Sequence, residues 1–131
     1  MYQSSMRGGD AGAQYRNVDI TSKVEGASPH RLIAILYEEL VTALATVKIS
    51  IRRNAPAQLN EAQARSIAIL HSLEHSLDFE KGGEIARALA VVYGEIGRLM
   101  AAGIKARDVG QVEMAQKIVV EIADAWGQIV S

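Results

Sequence analysis

The chain is 131 residues long, 49% hydrophobic and 22% charged, with 14 Lys and Arg against 15 Asp and Glu and a formal net charge of −1. That length suits one domain with a self-sufficient core, and the absence of cysteine excludes disulfides, thiolate metal sites and cysteine nucleophiles. The charges nearly cancel and only Arg52-Arg53 forms a small basic pair, so there is no electrostatic footprint for nucleic acid.

Residues 1–14 are rich in Gly, Ser, Ala and Gln, a composition that buries too little apolar surface to offset ordering entropy, and a disordered tail is expected. They contain no basic segment followed by an apolar core, so nothing marks the chain for export and a cytoplasmic location is expected. Apolar runs such as Leu32 to Tyr37 and Ala88 to Tyr93 fall far short of the roughly 20 residues of a membrane span. No membrane insertion is expected. From Tyr15 to Ala27 a weak stripe of Tyr15, Val18, Ile20 and Val24, closed by Gly26, predicts a short helix or an extended arm.

Ser28-Pro29 is a strong helix start, because Ser caps free backbone N–H groups and Pro at the first helical position lacks a donor that would otherwise go unpaired. The first helix runs to about Arg53. At about 100° per residue, Leu32, Ile33, Leu36, Tyr37, Leu40, Leu44, Val47 and Ile51 share one face, with Ile35 and Ile49 opposite. Asn54 and Pro56 are expected to end it. A second helix spans about Asn60 to Asp78 with Asn60 as its cap, burying Ile67, Ile69, Leu70, Leu73 and Leu77 and leaving Ala64, Ala68, His71 and His75 opposite.

Gly82-Gly83 punctuates the chain. A third helix then runs from Glu84 to about Arg107, with Ile85, Leu89, Val92, Ile96 and Leu99 at heptad-like spacing. Asp108 and Gln111 resemble a capping box for a fourth helix, whose expected core face is Met114, Ile118, Ile122, Ala125, Trp126 and Ile129. Asp78 sits poorly at the end of its own helix dipole, and its carboxylate is expected to cap the third helix instead. Four such helices joined by short loops bury their stripes by packing antiparallel. The predicted fold class is all-α, an antiparallel four-helix bundle with an N-terminal arm or short helix, the bundle domain with its arm covering residues 15–131.

His71-Ser72-Leu73-Glu74-His75 spells H-x-x-E-H, the pattern of a class of zinc peptidases. Its histidines lie opposite the apolar stripe, where a bundle meets solvent and not in a walled cleft. No histidine has Glu three residues before it, as a di-iron bundle requires, and there is no nucleophile elbow or phosphate loop. No catalytic residue, metal ligand or cofactor is therefore assigned.

In order along the chain, several segments resemble the flagellin-specific export chaperones, the FliS family of bacterial flagellar assembly. Gln14-Tyr15 through Ile20 comes first, then Ala27-Ser28-Pro29-His30-Arg31-Leu32-Ile33-Ala34-Ile35-Leu36-Tyr37-Glu38, similar to that family's S-P-x-x-L-I-x-M-L-Y-D/E pattern with Ile35 where Met is usual. Ser76-Leu77-Asp78, Gly82-Gly83-Glu84-Ile85-Ala86, Leu89, Tyr93, Arg98-Leu99 and Ala125-Trp126 follow. The resemblance implies an antiparallel helical bundle that binds the C-terminal segment of newly made flagellin, prevents premature polymerisation and hands the subunit to the type III export apparatus. It further implies that the client wraps around the bundle and that the arm, with Tyr15, Val18 and Ile20, shields part of the binding site. The candidate groove is Ile33, Leu36, Tyr37 and Leu40 on the first helix, Ala64, Ala68 and His71 on the second, and Tyr93 on the third. The rival readings are a self-associating bundle, an adaptor of another secretion system, and a metal-dependent hydrolase on the H-x-x-E-H face.

Overall fold

The computed structural model describes residues 26–129. The expected tail over residues 1–14 and the expected arm up to residue 25, with Tyr15, Val18 and Ile20, lie outside them. Four α-helices and no strand occupy the described residues: α1 (Pro29–Arg52), α2 (Pro56–His75), α3 (Phe79–Ala106) and α4 (Val109–Gly127). The chain separates into two compact units, residues 1–35 and 36–131.

In the first unit Gly26 takes a left-handed φ of 77°. Ser28 then caps α1, its Oγ accepting from the Arg31 N–H at 3.1 Å. Ile35, expected on the face away from the core, is 1% exposed.

In the second unit, polar contacts between helices set the directions. Arg65 of α2 reaches Glu39 of α1 at 3.0 Å, and Ser50 of α1 donates to Gln58 of α2 at 3.0 Å. Gln116 of α4 donates to the Val41 carbonyl at 3.0 Å, while Lys48 pairs with Glu113 at 3.7 Å. As the α1 number rises the partner number falls, so α2 and α4 both run antiparallel to α1. The contacts of Tyr37 with Tyr93 and of Asn54 with Arg107 make α3 parallel to α1. This is a four-helix bundle whose chain-adjacent helices are antiparallel. Its core is built from Tyr37, Leu40, Leu44 and Val47 of α1, Leu73 of α2, Tyr93, Ile96 and Met100 of α3, and Val112, Ala115 and Val119 of α4. Burial at spacings of three and four is how each helix turns one stripe inward.

The junctions differ from the sequence expectation in instructive ways. Asn54 takes φ 52° just past α1, and the Asn54 and Ala55 N–H groups close on the Ile51 and Ser50 carbonyls, the pattern of a Schellman turn. Pro56 opens α2 at its first position, where its missing donor costs nothing. Asn60 therefore lies inside the helix and not at its cap. Asp78 belongs to α3 as its N-cap, Oδ1 accepting from the Glu80 and Lys81 N–H groups at 3.0 Å each. One short turn follows before Gly83, at φ 51° and ψ −122°, interrupts the helix. Only glycine adopts such a backbone without strain, and the expected start at Glu84 marks where the main run of α3 resumes. Asp108 caps α4 by accepting from the Gly110 N–H at 2.9 Å.

Candidate functional site

The partner-binding residues expected from sequence divide into three environments. Tyr37, Leu40 and Tyr93 are buried. Ile33 and Leu36 are half-buried, while Ala64, Ala68 and His71 stand exposed on α2 beside the exposed Ile67. The fold does join Tyr37 to Tyr93, but inside the bundle: their hydroxyls lie 2.7 Å apart and the Trp126 ring meets Tyr37 edge-on at 6.4 Å. Burial pushes the Tyr37 phenol above its ordinary value of 10.0, with the hydrogen bond it shares with Tyr93 pulling partly back. Burial, reinforced by that same bond, raises Tyr93 strongly. Both phenols lie inside the packed core. Trp126 is half-buried beside them, its indole forming one wall of this cluster.

The H-x-x-E-H histidines are exposed, and His75 Nδ1 is engaged by the His71 carbonyl at 2.8 Å. Among the described residues no group of three His, Asp or Glu side chains is placed to hold a metal.

Apolar side chains stand open on the other helices too, among them Phe79 and Val91 on α3 and Val120 on α4. Ile85 is 73% exposed, Met114 56% and Ile129 54%. All three were expected in the core, as was Ala125, which is also exposed. Leu89, Val92, Ile118 and Ile122 are half-buried. Neighbouring contacts locate them. On α3, Gly97 faces α2, since a Cβ there would lie 3.7 Å from Leu70. Gly103 faces α4, where a Cβ would lie 2.7 Å from Val112. At about 100° per residue Ile85 and Val92 fall on the Gly103 flank of α3. On α4 the Glu113 and Gln116 flank turns to α1, so Ile118, Ile122 and Ile129 occupy the other flank, toward α3, with Met114 and Ala125 further out toward solvent.

Two amphipathic stripes thus run along one seam, pressed together at Gly103–Val112 and open toward solvent. Polar groups rim it. On α3 the Arg98 guanidinium makes a bidentate pair with Glu95, at 2.8 and 2.6 Å. The hydrogen bond from Arg98 holds the Glu95 carboxyl below its ordinary value. Lys117 and Glu121 are exposed on α4. Sequence periodicity found these stripes and read them as core, because amphipathicity signals that a face is covered without saying by what.

An apolar seam with a polar rim marks the surface of a helical module that binds other polypeptides, and no catalytic constellation is assembled among the described residues. Residues 11–131 match the family model described as flagellar protein FliS, and the chain belongs to that family. It is 35% identical to the flagellar secretion chaperone FliS of Salmonella typhimurium, over 88% of this chain and 86% of that one. It is 30% identical to the flagellar secretion chaperone FliSB of Pseudomonas aeruginosa, over 88% and 92%. The FliS counterpart of Vibrio cholerae is 26% identical, over 88% and 85%. The role of the chain is that of an export chaperone and not of an enzyme, and its partner is a secretion substrate. No helix among the described residues is long and apolar enough to cross a membrane.

Proposed function

We propose that this chain acts in the cytoplasm as a flagellar export chaperone that binds the C-terminal segment of flagellin, prevents its premature polymerisation and supports its type III export. The observation that carries the reading is the open apolar seam of α3 and α4 in a chain of the FliS family. A disordered client that becomes helical as it lays its apolar face in such a seam gains the burial that the free bundle forgoes. The exposed α2 face with Ala64, Ala68 and His71 is a second contact, where small side chains allow close approach. Tyr37, Leu40 and Tyr93 act beneath the surface, as the packed floor that holds the helices in place. Tyr15, Val18 and Ile20 are assigned to an arm that the client displaces.

Mixing the chain with a flagellin C-terminal peptide is expected to yield a one-to-one complex with increased helical circular dichroism. Changing Ile85 and Met114 together to Asp is expected to leave the fold intact and weaken the complex at least about tenfold, since two half-open apolar contacts become charged. No complex at micromolar concentration, or one indifferent to both substitutions, overturns the assignment. Tyr15→Ala is expected to alter client affinity without changing the helical signal, and unchanged affinity removes the arm from the site.

A further inference from the structure

We propose that the end of the bundle where α1 and α3 finish is a docking surface for an acidic segment of a partner protein. Because α1 and α3 run the same way, their C-terminal ends lie together, and Arg107 fastens them by donating from its guanidinium to Asn54 Oδ1 at 3.0 Å. Arg52 and Arg53 thereby join Lys105 and Arg107 on one surface, and all four are exposed. Among the described residues Arg52, Arg53 and Lys105 have no ion-pair partner. The one carboxylate within residues 50–58 and 103–111 is Asp108, and its Oδ1 is engaged by the Gly110 N–H. Sequence displays only the Arg52-Arg53 pair. The fold doubles it.

Arg52 and Lys105 sit in the last turns of their helices, where a cation also offsets the helix dipole. Arg107, the C-cap of α3, adds to that offset from a strained backbone. It stands at φ 57° in a turn closed by its own N–H and that of Asp108 on the Ile104 and Gly103 carbonyls. This is the left-handed position of a Schellman turn, where glycine or asparagine is least strained. The equivalent residue of α1 is Asn54. A large cation held in a left-handed backbone, with most of its five donors unused, is a local cost consistent with a surface role.

Three of the four cations are arginines, whose planar forks match carboxylates bidentately. A lipid surface would find no anchor here, because no large hydrophobic side chain is exposed within residues 50–58 or 103–111. A nucleic acid strand would find no aromatic platform, since neither stretch contains Phe, Tyr or Trp. An acidic polypeptide fits best. The proposal does not rest on the flagellin reading, because none of these residues belongs to the apolar seam.

Anisotropy of a fluorescent oligoglutamate peptide titrated with the full chain tests it. Saturable binding is expected at low ionic strength, falling as salt screens the charges. Arg53→Glu with Arg107→Glu is expected to weaken it about tenfold, with helical circular dichroism confirming the fold. Arg87→Glu, exposed on α3 and about 30 Å away along that helix, is expected to leave it unchanged. Arg107→Gly relieves the left-handed backbone but also removes the bond to Asn54, so it is expected to weaken binding with little net change in melting temperature. Equal binding by wild type and the double variant, equal loss in Arg87→Glu, unchanged binding by Arg107→Gly, or tighter association with phosphatidylglycerol vesicles or oligothymidylate than with the peptide overturns the proposal.

Discussion

The buried Tyr37–Tyr93 pair allows a sharp test of what holds the bundle together. Each hydroxyl is the other's partner at 2.7 Å, in side chains 1% and 2% exposed. Tyr93→Phe deletes one hydroxyl and strands the other in an apolar core, a loss of about 1–3 kcal/mol. Tyr37→Phe does the same in reverse. The double phenylalanine variant removes both polar groups at nearly constant shape and is expected to lie close to wild type. For a chain of this size 1 kcal/mol moves the melting temperature by roughly 3–5 °C, so each single variant should melt about 6–10 °C lower for a loss near 2 kcal/mol. Urea unfolding followed by helical circular dichroism and by Trp126, the single tryptophan of the chain, its ring 6.4 Å from that of Tyr37, measures all four corners of the cycle. If the double variant loses the sum of the singles, the hydroxyls act independently and the account of this core is wrong.

The same pair sets an alkaline limit. Both phenols are raised above 10.0 by burial in the folded chain, so their contribution is fully present below about pH 10, the unfolded value, and is lost as pH climbs toward the folded values. Stability against urea is expected to fall above that pH, and the double phenylalanine variant to flatten the fall. Asp78→Ala removes the acceptor of the Glu80 and Lys81 N–H groups and should cost about 1 kcal/mol in thermal unfolding, with client affinity unchanged. Gly103→Ala forces a Cβ to 2.7 Å from Val112 and 2.9 Å from the Asp108 carbonyl. Calorimetry should register about 1–3 kcal/mol lost to overpacking.

Periodicity and caps carried most of the architecture. Ser28-Pro29, Asp78 and Asp108 mark helix starts through side-chain chemistry that acts within three residues, and all three accept the bonds their positions imply. Pro56 misled because proline disfavours helix in the residue before it and equally suits the first turn of the next helix. Which of these applies depends on Asn54 reversing the chain within three residues. The open seam was less legible. Ile85, Met114 and Ile129 obey the same spacing as Ile96 and Val119, and a helix encodes which residues share a face but not whether a fifth helix is available to cover it. The basic end was invisible for a different reason, since Arg52 and Arg107 are brought together only by the parallel course of α1 and α3.

Magnitudes constrain how a client can use the seam. Covering a half-open apolar side chain contributes about 1 kcal/mol, so Ile85, Met114 and Ile129 with the half-buried Val92, Ile118 and Ile122 offer roughly 5–7 kcal/mol. Ordering a disordered segment costs about 2–5 kcal/mol, and association itself costs at least about 4 kcal/mol. The seam alone therefore supports only weak binding. Under the proposed function, a client held firmly enough to be kept from polymerising must reach a second surface, and the exposed Ala64, Ala68 and His71 face of α2 is the proposed one, on the far flank of α3. Linking two weak contacts in one chain raises affinity through effective concentration, yet leaves each contact weak enough to be peeled away singly during hand-over. A flagellin peptide long enough for one helix should thus bind at least about tenfold more weakly than the whole C-terminal segment, and Ala64→Glu with Ala68→Glu should reduce binding of the long segment alone. Calorimetric titration of both peptides decides the matter. A short peptide that binds as tightly as the whole segment would place all the affinity in one groove and refute the two-contact account.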